Sequence, residues 1–321
     1  MKTVYLCEKA KNIKNVFGTE ETVYCKEDVL KNPELFRDTE YFFSSWGIPS
    51  FTEEEIKVYL PSLKAVFYGA GSVQHFARPF LNCGVKVFSA WAANAVPVAE
   101  YTVAQIVLAN KGFFSNSRIR SREGYTAARK RFAAYPGNYG AKVGLIGVGT
   151  IGKLVARRLQ GYALEVLAYD PFLSDEAARM LGVKKVELAT LFAQCHVVSN
   201  HLANNEQTVG MLKGELFEAM LPYATFINTG RGAQVVEADL IKVLTERPDL
   251  TAVLDVTTLE PPEEGSDFYT LENCILTPHI AGSGGNEVRR MGEYMQREYE
   301  NLVANKPCQY EVTLEMLKTM A

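Results

Sequence analysis

Three polar side chains stand late in the chain, and their types suit acid–base chemistry on a compound that carries a carboxylate. Arg231 lies between two glycines, Glu260 precedes a Pro-Pro pair, and His279 follows Thr-Pro. A guanidinium binds a carboxylate through two parallel hydrogen bonds, and a histidine paired with a carboxylate can act as a general acid or base. Each residue also has an ordinary alternative, as a surface arginine, a loop acid or a structural histidine. Spacing alone therefore does not decide whether these three residues form a catalytic group.

The glycine-rich stretch 142–170 has the pattern of a strand, a tight turn, a helix and a second strand. Gly147, Gly149 and Gly152 form GxGxxG directly after an apolar segment. The first glycine permits the turn, the second lets a pyrophosphate approach the backbone, and the third lets helix and strand pack closely. The helix N-terminus offers N–H groups to phosphates, and Asp170 ends the next strand, where a carboxylate can bind ribose hydroxyls. This stretch predicts dinucleotide binding, with an ordinary glycine turn as the alternative.

Length and composition limit the class of protein. A chain of 321 residues with 47% hydrophobic residues is long enough for two domains, and a net charge of −3 argues against nucleic-acid or membrane-surface binding. The six cysteines are scattered without a CxxC pair, which is typical of free thiols in a reducing compartment. The N-terminus lacks a signal-peptide pattern, and no uncharged apolar run reaches the ~20 residues of a membrane helix. We expect a cytoplasmic protein without a metal site.

The first 92 residues alternate strand-like and helix-like segments, which predicts a parallel sheet with helices on both faces. The expected strands are 3–6, 22–24, 41–43, 65–68 and 85–88, and the expected helices are 26–36, 53–60 and 72–82. Gly71 and Ser72 follow one of these strands, where free backbone N–H groups could hold a carboxylate; a plain strand–helix turn is the alternative. Trp91, after the next strand, could line a small pocket or belong to the core.

Pro97 suits the first turn of a long apolar helix, 97–111. The charged run 118–131 that follows could bind phosphate, but is more typical of a solvated face or a dimer contact. Further expected strands are 197–199, 225–228, 252–255 and 275–277, with helices such as 188–195 and 237–246 between them. We expect the helical segment 286–305 to return to the first domain.

Six motifs occur together between residues 93 and 282, where the pattern is specific. They are Asn94 with Val98-Ala99-Glu100, the glycine pattern 147–152, His201-Leu202, the segment 228–232, Leu254-Asp255-Val256 with Glu260-Pro261, and the segment 277–281. In this combination the chain resembles the D-isomer-specific 2-hydroxyacid dehydrogenases, a family that includes phosphoglycerate dehydrogenase and glyoxylate/hydroxypyruvate reductase. The resemblance runs over nearly the whole chain.

The resemblance implies a role for each candidate residue. Arg231 would hold the substrate carboxylate and carbonyl, His279 would be the acid or base, and Glu260 would orient it. Backbone groups of Gly71 and Ser72 match the family's substrate-carboxylate loop. The implied cofactor contacts are Gly147, Gly149, Thr150, Ile151, Gly152, Asp170, His201, Leu202, Thr229 and Asp255, the last of which would contact the nicotinamide carboxamide.

Because of three departures from the family pattern, the resemblance does not identify the substrate. Gln74 stands where an aspartate is frequent, Ala203 stands where a proline is usual, and a Phe or Trp common near Thr257 is absent. None of these changes removes a catalytic group. Glu260 argues against the formate dehydrogenase branch of the family, in which the active-site histidine has a glutamine partner.

The predicted fold class is α/β, with two doubly wound parallel-sheet domains. Residues 1–96 and 286–321 would form a flavodoxin-like substrate-binding domain, and residues 97–285 a Rossmann NAD-binding domain. The implied activity is hydride transfer between NAD(H) and a small D-2-hydroxy acid or 2-oxo acid, in a cleft between the domains, and a homodimer is expected. One alternative is a nicotinamide-sensing binding protein, as in the corepressor branch. Another is an enzyme such as an amino-acid dehydrogenase, although the matched motifs hold no suitable lysine.

Overall fold

The computed structural model describes residues 2–318, which contain thirteen strands and fourteen α-helices. The strands are β1 (Lys2–Leu6), β2 (Val23–Tyr24), β3 (Thr39–Ser44), β4 (Ala65–Tyr68), β5 (Lys86–Ser89), β6 (Tyr139–Ile146), β7 (Ala163–Tyr169), β8 (Lys184–Lys185), β9 (Val197–Asn200), β10 (Thr225–Asn228), β11 (Thr251–Leu254), β12 (Cys274–Leu276) and β13 (Glu311–Val312).

The helices vary from single turns to twenty residues. They are α1 (Ala10–Phe17), α2 (Lys26–Lys31), α3 (Pro33–Phe36), α4 (Glu53–Tyr59), α5 (Ala77–Asn82), α6 (Trp91–Asn110), α7 (Phe113–Asn116), α8 (Arg122–Arg131), α9 (Thr150–Leu159), α10 (Asp175–Leu181), α11 (Leu188–Gln194), α12 (Gly214–Glu218), α13 (Glu237–Glu246) and α14 (Val288–Val303). The chain divides into two compact units, one from the described residues of Met1–Ala95 and Ser283–Ala321, the other from Val96–Gly282.

The first unit is built on a sheet in the order β2-β1-β3-β4-β5-β13. Its five leading strands are parallel in the flavodoxin-like order, whereas β13 pairs antiparallel with β5. Because side chains alternate along a strand, Val66 and Tyr68 of β4 enter one apolar cluster, and Ala65 and Phe67 enter another. Helix α14 adds Met291 to the second cluster. The C-terminal segment therefore belongs to the core of the first unit.

The second unit is built on a parallel sheet in the order β8-β7-β6-β9-β10-β11-β12. This is the Rossmann order with one further strand, which confirms the predicted fold class. Strands β9, β10 and β11 are buried at every residue, as expected when helices cover both faces of a parallel sheet. Within β10, Phe226 packs in one apolar cluster and Ile227 in the other. The carboxyl ends of these buried strands carry the loops that hold the candidate residues.

Several sequence-based element boundaries are wrong, and a proline explains one of them. The expected helix 26–36 is two helices, because Asn32 leaves the helical conformation before Pro33 begins α3. The expected helix 72–82 begins only at Ala77. Helix α6 begins at Trp91, so Pro97 lies inside it rather than in its first turn. Trp91 is therefore the first residue of this helix, and its side chain is half-buried.

Among residues 2–318, one helix is long and apolar enough to cross a membrane by length and composition alone. That helix is α6, and 56% of its most apolar window is buried inside the structure. The core helix of a globular protein passes the same test, so this property carries little weight.

Candidate active site

The candidate residues follow strands whose ends lie side by side. In the sheet of the second unit Asn228 is paired with Asn200 on one side and with Leu254 on the other, and Leu254 with Leu276. Because all four strands are parallel, the segments that follow them leave from the same edge of the sheet. These segments carry His201, Arg231, Glu260 and His279.

Two of the candidates, His279 and Glu260, are in direct contact. The Nδ1 atom of His279 lies 2.7 Å from Oε2 of Glu260, and the two side chains are 47% and 39% exposed. The backbone of His279 has φ = +52°, a left-handed conformation that is uncommon outside glycine. Its N–H donates to the carbonyls of Asp255 and Thr277, each at 3.0 Å, which stabilises this conformation. The imidazole therefore has one nitrogen bound to a carboxylate and the other available to a ligand.

Asp255 organises the loop that carries His279. This side chain is buried, and its Oδ1 accepts hydrogen bonds from the hydroxyl of Thr277 at 2.6 Å and from the N–H of Ile280 at 2.9 Å. Its Oδ2 accepts from the N–H of Ala281 at 2.9 Å. The carboxylate thus replaces three contacts that water would otherwise make to this turn. The contact with a nicotinamide carboxamide that the resemblance implies stays a prediction.

The turn that carries Arg231 is closely packed. A Cβ atom added to Gly232 would lie 1.9 Å from the carbonyl carbon of Thr257, so only glycine fits there. The Nη1 atom of Arg231 donates to the carbonyl of Gly230 at 2.7 Å. Burial lowers the pKa of Arg231 from its ordinary value, and the nearby Glu260 carboxylate opposes that change. A guanidinium titrates far above neutral pH, so Arg231 carries its charge into a site that already holds Glu260 and His279.

A cavity of about 420 Å³ adjoins the His279–Glu260 pair. Its lining includes both of these side chains, together with Val256, Pro262 and Tyr269. Across residues 2–318, no group of three or more His, Cys, Asp or Glu side chains is placed to hold a metal ion.

The glycine turn before α9 fits a dinucleotide phosphate. Gly147 has φ = +83°, and a Cβ atom there would lie 2.9 Å from the backbone of His201. A Cβ atom on Gly152 would lie 2.2 Å from the carbonyl oxygen of Gly147. At Gly149, by contrast, an added Cβ would meet nothing within 4 Å, and no side chain caps the helix that begins at Thr150. No side chain therefore caps the N–H groups of the first turn of α9, and the space at Gly149 is open, as a bound phosphate requires.

Asp170 lies at the same turn. Its Oδ2 accepts a hydrogen bond from the N–H of Val148 at 2.7 Å, and its Oδ1 accepts from the N–H of Phe172 at 2.8 Å. The carboxylate therefore links the end of β7 to the glycine turn, and it is only half-buried. A carboxylate can accept further hydrogen bonds, so binding of ribose hydroxyls stays a prediction.

The residues His201, Leu202 and Thr229, which the resemblance implies as cofactor contacts, make hydrogen bonds to other residues of the protein. The Nε2 atom of His201 lies 3.0 Å from the hydroxyl of Ser199, and the Leu202 N–H donates to the Oδ1 atom of Asn200 at 3.2 Å. The hydroxyl of Thr229 lies 3.1 Å from that of Thr102. Burial lowers the pKa of His201 to about 4. Cofactor contact by these residues stays a prediction.

The lowered pKa of His201 leads to a prediction about stability. The unfolded chain, in which histidine has its ordinary pKa of about 6.5, binds a proton more readily than the folded chain between that pH and about 4. Stability from this group is therefore fully present above pH ~6.5 and decreases as the pH falls, by about 2 kcal/mol between pH 7 and pH 5. We expect His201→Gln to reduce this pH dependence by about that amount in urea unfolding. Identical pH dependence in the two proteins would contradict the prediction.

The candidate carboxylate loop of the first unit, at Gly71 and Ser72, follows β4. The hydroxyl of Ser89 donates to the carbonyl of Gly71 at 2.6 Å, which anchors the loop. The N–H groups of Gly71 and Ser72 donate to no other residue that the structure describes. They are therefore free to bind an anion, although a substrate role stays a prediction.

Sequence reasoning missed several polar residues around the site. Asn200 and Gln234 are completely buried beside the Arg231 turn, and the hydroxyl of Tyr101 lies 3.0 Å from that of Thr277. None of these residues has a local pattern that marks it. Their importance depends on which strands become neighbours in the sheet.

The family model described as "D-isomer specific 2-hydroxyacid dehydrogenase, NAD binding domain" matches residues 104–281. The chain is 32% identical to a D-3-phosphoglycerate dehydrogenase of Archaeoglobus fulgidus, over 73% of this chain and 44% of that protein. It is 34% identical to an (S)-sulfolactate dehydrogenase of Chromohalobacter salexigens, over 72% of this chain and 74% of the relative.

A similar solved structure is that of apo D-mandelate dehydrogenase from Rhodotorula graminis. The TM-score is 0.79 with 97% of both chains covered, and at 19% identity this likeness shows the fold alone. The chain spans less than half of the phosphoglycerate dehydrogenase from Archaeoglobus. The family model nevertheless covers more than half of this chain, which confirms the resemblance carried by the motifs. The chain belongs to the D-isomer-specific 2-hydroxyacid dehydrogenase family, and its second unit contains the NAD-binding domain of that family.

Proposed function

We propose that this protein is an NAD(H)-dependent oxidoreductase that transfers a hydride between a small D-2-hydroxy acid and the corresponding 2-oxo acid. The observation that carries the proposal is the 2.7 Å contact between His279 Nδ1 and Glu260 Oε2. This pair lies in an NAD-binding unit, together with a half-buried arginine, Arg231, whose charge interacts with Glu260. An imidazole, an orienting carboxylate and a guanidinium are the groups that reduction of a 2-oxo acid requires.

The roles of the three side chains follow from their chemistry. Bound NADH supplies the hydride for the carbonyl carbon. Arg231 binds the substrate carboxylate through parallel hydrogen bonds and offsets the negative charge that develops on the carbonyl oxygen. Because Nδ1 of His279 is bound to Glu260, protonated His279 donates from Nε2 to that oxygen. In the oxidation direction, neutral His279 accepts the hydroxyl proton at the same nitrogen.

The cofactor would be held by the glycine turn and the loops beside it. The open space at Gly149 and the uncapped first turn of α9, which includes Thr150 and Ile151, support pyrophosphate binding there. We propose that Asp170 binds the adenosine ribose and that Asp255 contributes to the nicotinamide end. Gly147, Gly152, His201, Leu202 and Thr229 would complete this binding surface.

A preference for NADH over NADPH is expected. The Asp170 carboxylate would repel the extra phosphate of NADPH, and no arginine occurs between it and Arg179. We predict that catalytic efficiency favours NADH by at least about tenfold, which corresponds to ~1.4 kcal/mol. Asp170→Asn tests this prediction, because its amide oxygen can still accept the Val148 N–H at the glycine turn, while the Phe172 N–H loses its acceptor. This substitution should reduce the preference for NADH over NADPH, because it removes the negative charge that would repel the 2′-phosphate.

The matched control for this variant is Asp175→Asn, which neutralises an exposed acid in the first turn of α10. This control should leave the ratio of catalytic efficiencies unchanged. Equal efficiencies with NADH and NADPH in the unmodified protein would contradict the prediction, and would require a basic group near the 2′-phosphate.

The proposed activity is tested by steady-state turnover of NADH with a panel of 2-oxo acids that differ in side-chain size and charge. We expect at least one to be reduced to the D-2-hydroxy acid, as judged by chiral analysis of the product. Reduction of none, with NADH still bound, would contradict the proposal and favour a nicotinamide-sensing binding protein. No contact described above favours that alternative, and none favours an amino-acid dehydrogenase.

We also propose separate roles for the two parts of the chain. Residues 1–96 and 286–321 would bind substrate, with Gly71 and Ser72 contacting its carboxylate, and residues 97–285 would bind the dinucleotide. We also propose that the chain forms a homodimer, as the resemblance to the family implies, and light scattering would measure its mass. All six cysteines are free, which supports a reducing, cytoplasmic setting.

A further inference from the structure

Three amide side chains lie together beneath the turn that carries Arg231. They are Asn200 at the end of β9, Asn228 at the end of β10, and Gln234, which follows the turn. The exposed fractions of these residues are 0%, 1% and 0%. Amides at such depth are costly unless their polar atoms are paired, so their partners identify what they stabilise.

The amides bind one another. The Nδ2 atom of Asn200 donates to Oδ1 of Asn228 at 3.0 Å and to Oε1 of Gln234 at 2.6 Å. The Nε2 atom of Gln234 donates to the carbonyl of Leu202 at 2.8 Å, and the Leu202 N–H donates to Oδ1 of Asn200 at 3.2 Å. The network therefore ties Gln234 to the loop after β9.

The same amides hold the backbone of the catalytic candidate. The N–H of Arg231 donates to Oε1 of Gln234 at 3.2 Å, and the carbonyl of Arg231 accepts from Nδ2 of Asn228 at 3.1 Å. The N–H of Gly230 donates to Oδ1 of Asn228 at 3.1 Å. Both backbone polar groups of Arg231 are thus bound by side chains rather than by a strand or helix.

The network also fills the space below the turn. A Cβ atom added to Gly230 would lie 2.9 Å from Nδ2 of Asn200 and 2.9 Å from Oε1 of Gln234. On the other side, Gly232 is closed by the backbone at Thr257. The turn is therefore confined from two sides, and it cannot move without breaking buried hydrogen bonds.

We propose that Gln234 is a positioning residue, which fixes the backbone of Arg231 and thereby the direction of its guanidinium. The proposal rests on the proposed function of Arg231. A buried hydrogen bond is costly to leave unmade, so the amide network permits one conformation of the turn. A bidentate contact with a carboxylate depends on geometry, and a displacement of about 1 Å can reduce turnover by about a hundredfold.

The test is Gln234→Met, which keeps the length of the side chain and removes its polar atoms. We expect kcat/KM for the 2-oxo acid to fall by about 10- to 100-fold. The Kd for NADH should change less, since Leu202 is the one proposed cofactor contact that the amides bind and the glycine turn at Gly149 lies outside the network. Gln194→Met, at an exposed glutamine of the same unit, should leave both quantities unchanged. Leu244→Ala, in the apolar core, controls for loss of stability without loss of the network.

A double-mutant cycle tests whether Gln234 acts by positioning the Arg231 guanidinium or only by stabilising the fold. If Gln234 acts through the guanidinium, Gln234→Met should have little further effect on kcat/KM once Arg231→Lys is present. Equal effects in the two backgrounds would overturn the proposal. A loss of turnover in Leu244→Ala as large as in Gln234→Met, at a matched unfolding midpoint, would overturn it as well.

Hydrogen exchange gives a readout that needs no turnover. In Gln234→Met the backbone N–H groups of residues 229–233 should exchange faster than in the unmodified protein, while the exposed Gln194→Met leaves them unchanged. Unchanged exchange in Gln234→Met would overturn the proposal whatever the kinetics. If the unmodified protein reduces no 2-oxo acid, the proposed function fails, whereas faster exchange would still support the control of this turn by Gln234.

Discussion

Replacement of Arg231 by alanine is expected to remove most of the turnover of a 2-oxo acid and to leave NADH affinity nearly intact. The Arg231 side chain is half-buried near Glu260, where its contact with a substrate carboxylate would be only partly screened by water. Loss of a charge-assisted contact in such a partly buried position costs about 2–3 kcal/mol, which corresponds to a fall in kcat/KM of about 30-fold or more.

The measurement combines steady-state kinetics with a fluorescence titration of NADH. Arg247→Ala is a suitable control, because Arg247 pairs with Asp249 at 2.8 Å before the start of β11, at the opposite end of the sheet. That variant should retain its kcat/KM if it folds. A large loss of NADH affinity in Arg231→Ala would place Arg231 in the cofactor site and contradict its assignment to the substrate.

Replacement of His279 by asparagine is expected to lower kcat by about 10²- to 10⁴-fold, because the carbonyl oxygen loses its general acid. Asparagine is the appropriate substitute because the backbone at this position has φ = +52°, which asparagine tolerates better than most residues. The unfolding temperature of the variant should therefore remain close to that of the unmodified protein. A kcat within about threefold of the original would contradict acid–base catalysis by His279.

Glu260→Gln provides the companion variant. An amide oxygen can still accept a hydrogen bond from Nδ1 of His279, but it offers no charge to the imidazolium form. The loss in kcat should therefore be smaller than for His279→Asn, and combining the two substitutions should add little. Fully additive losses would indicate that the two residues act separately.

The sequence was sufficient for the parts of the site that local patterns define. Gly147, Gly149 and Gly152 stand within six residues of one another between a strand and a helix, so their spacing alone identifies the turn. The order of apolar strands and helices likewise predicted the α/β class. Pro97 was misplaced because a proline near the start of an apolar segment usually marks the first helical turn, whereas α6 begins at Trp91.

The amide network could not be predicted in the same way. Asn200 and Gln234 are separated along the chain and become neighbours only because β9 pairs with β10 in register. A polar residue at the end of a buried strand usually indicates a loop. The sequence contains no local signal that would pair one such residue with another.

The first unit is built from two segments that are far apart in the chain, which has a consequence for synthesis on the ribosome. Its sheet is encoded almost entirely before residue 95, but one face is covered by Met291 and Met295 of α14, and its edge is closed by β13. Until α14 has been synthesised, the nascent chain therefore lacks the side chains that Met291 and Met295 add to the apolar cluster of Phe43, Phe67 and Phe88. The second unit is one continuous stretch, so its core can be completed earlier. Translation thus orders the two folding events, and the incomplete first unit is the species on which a nascent-chain chaperone would act.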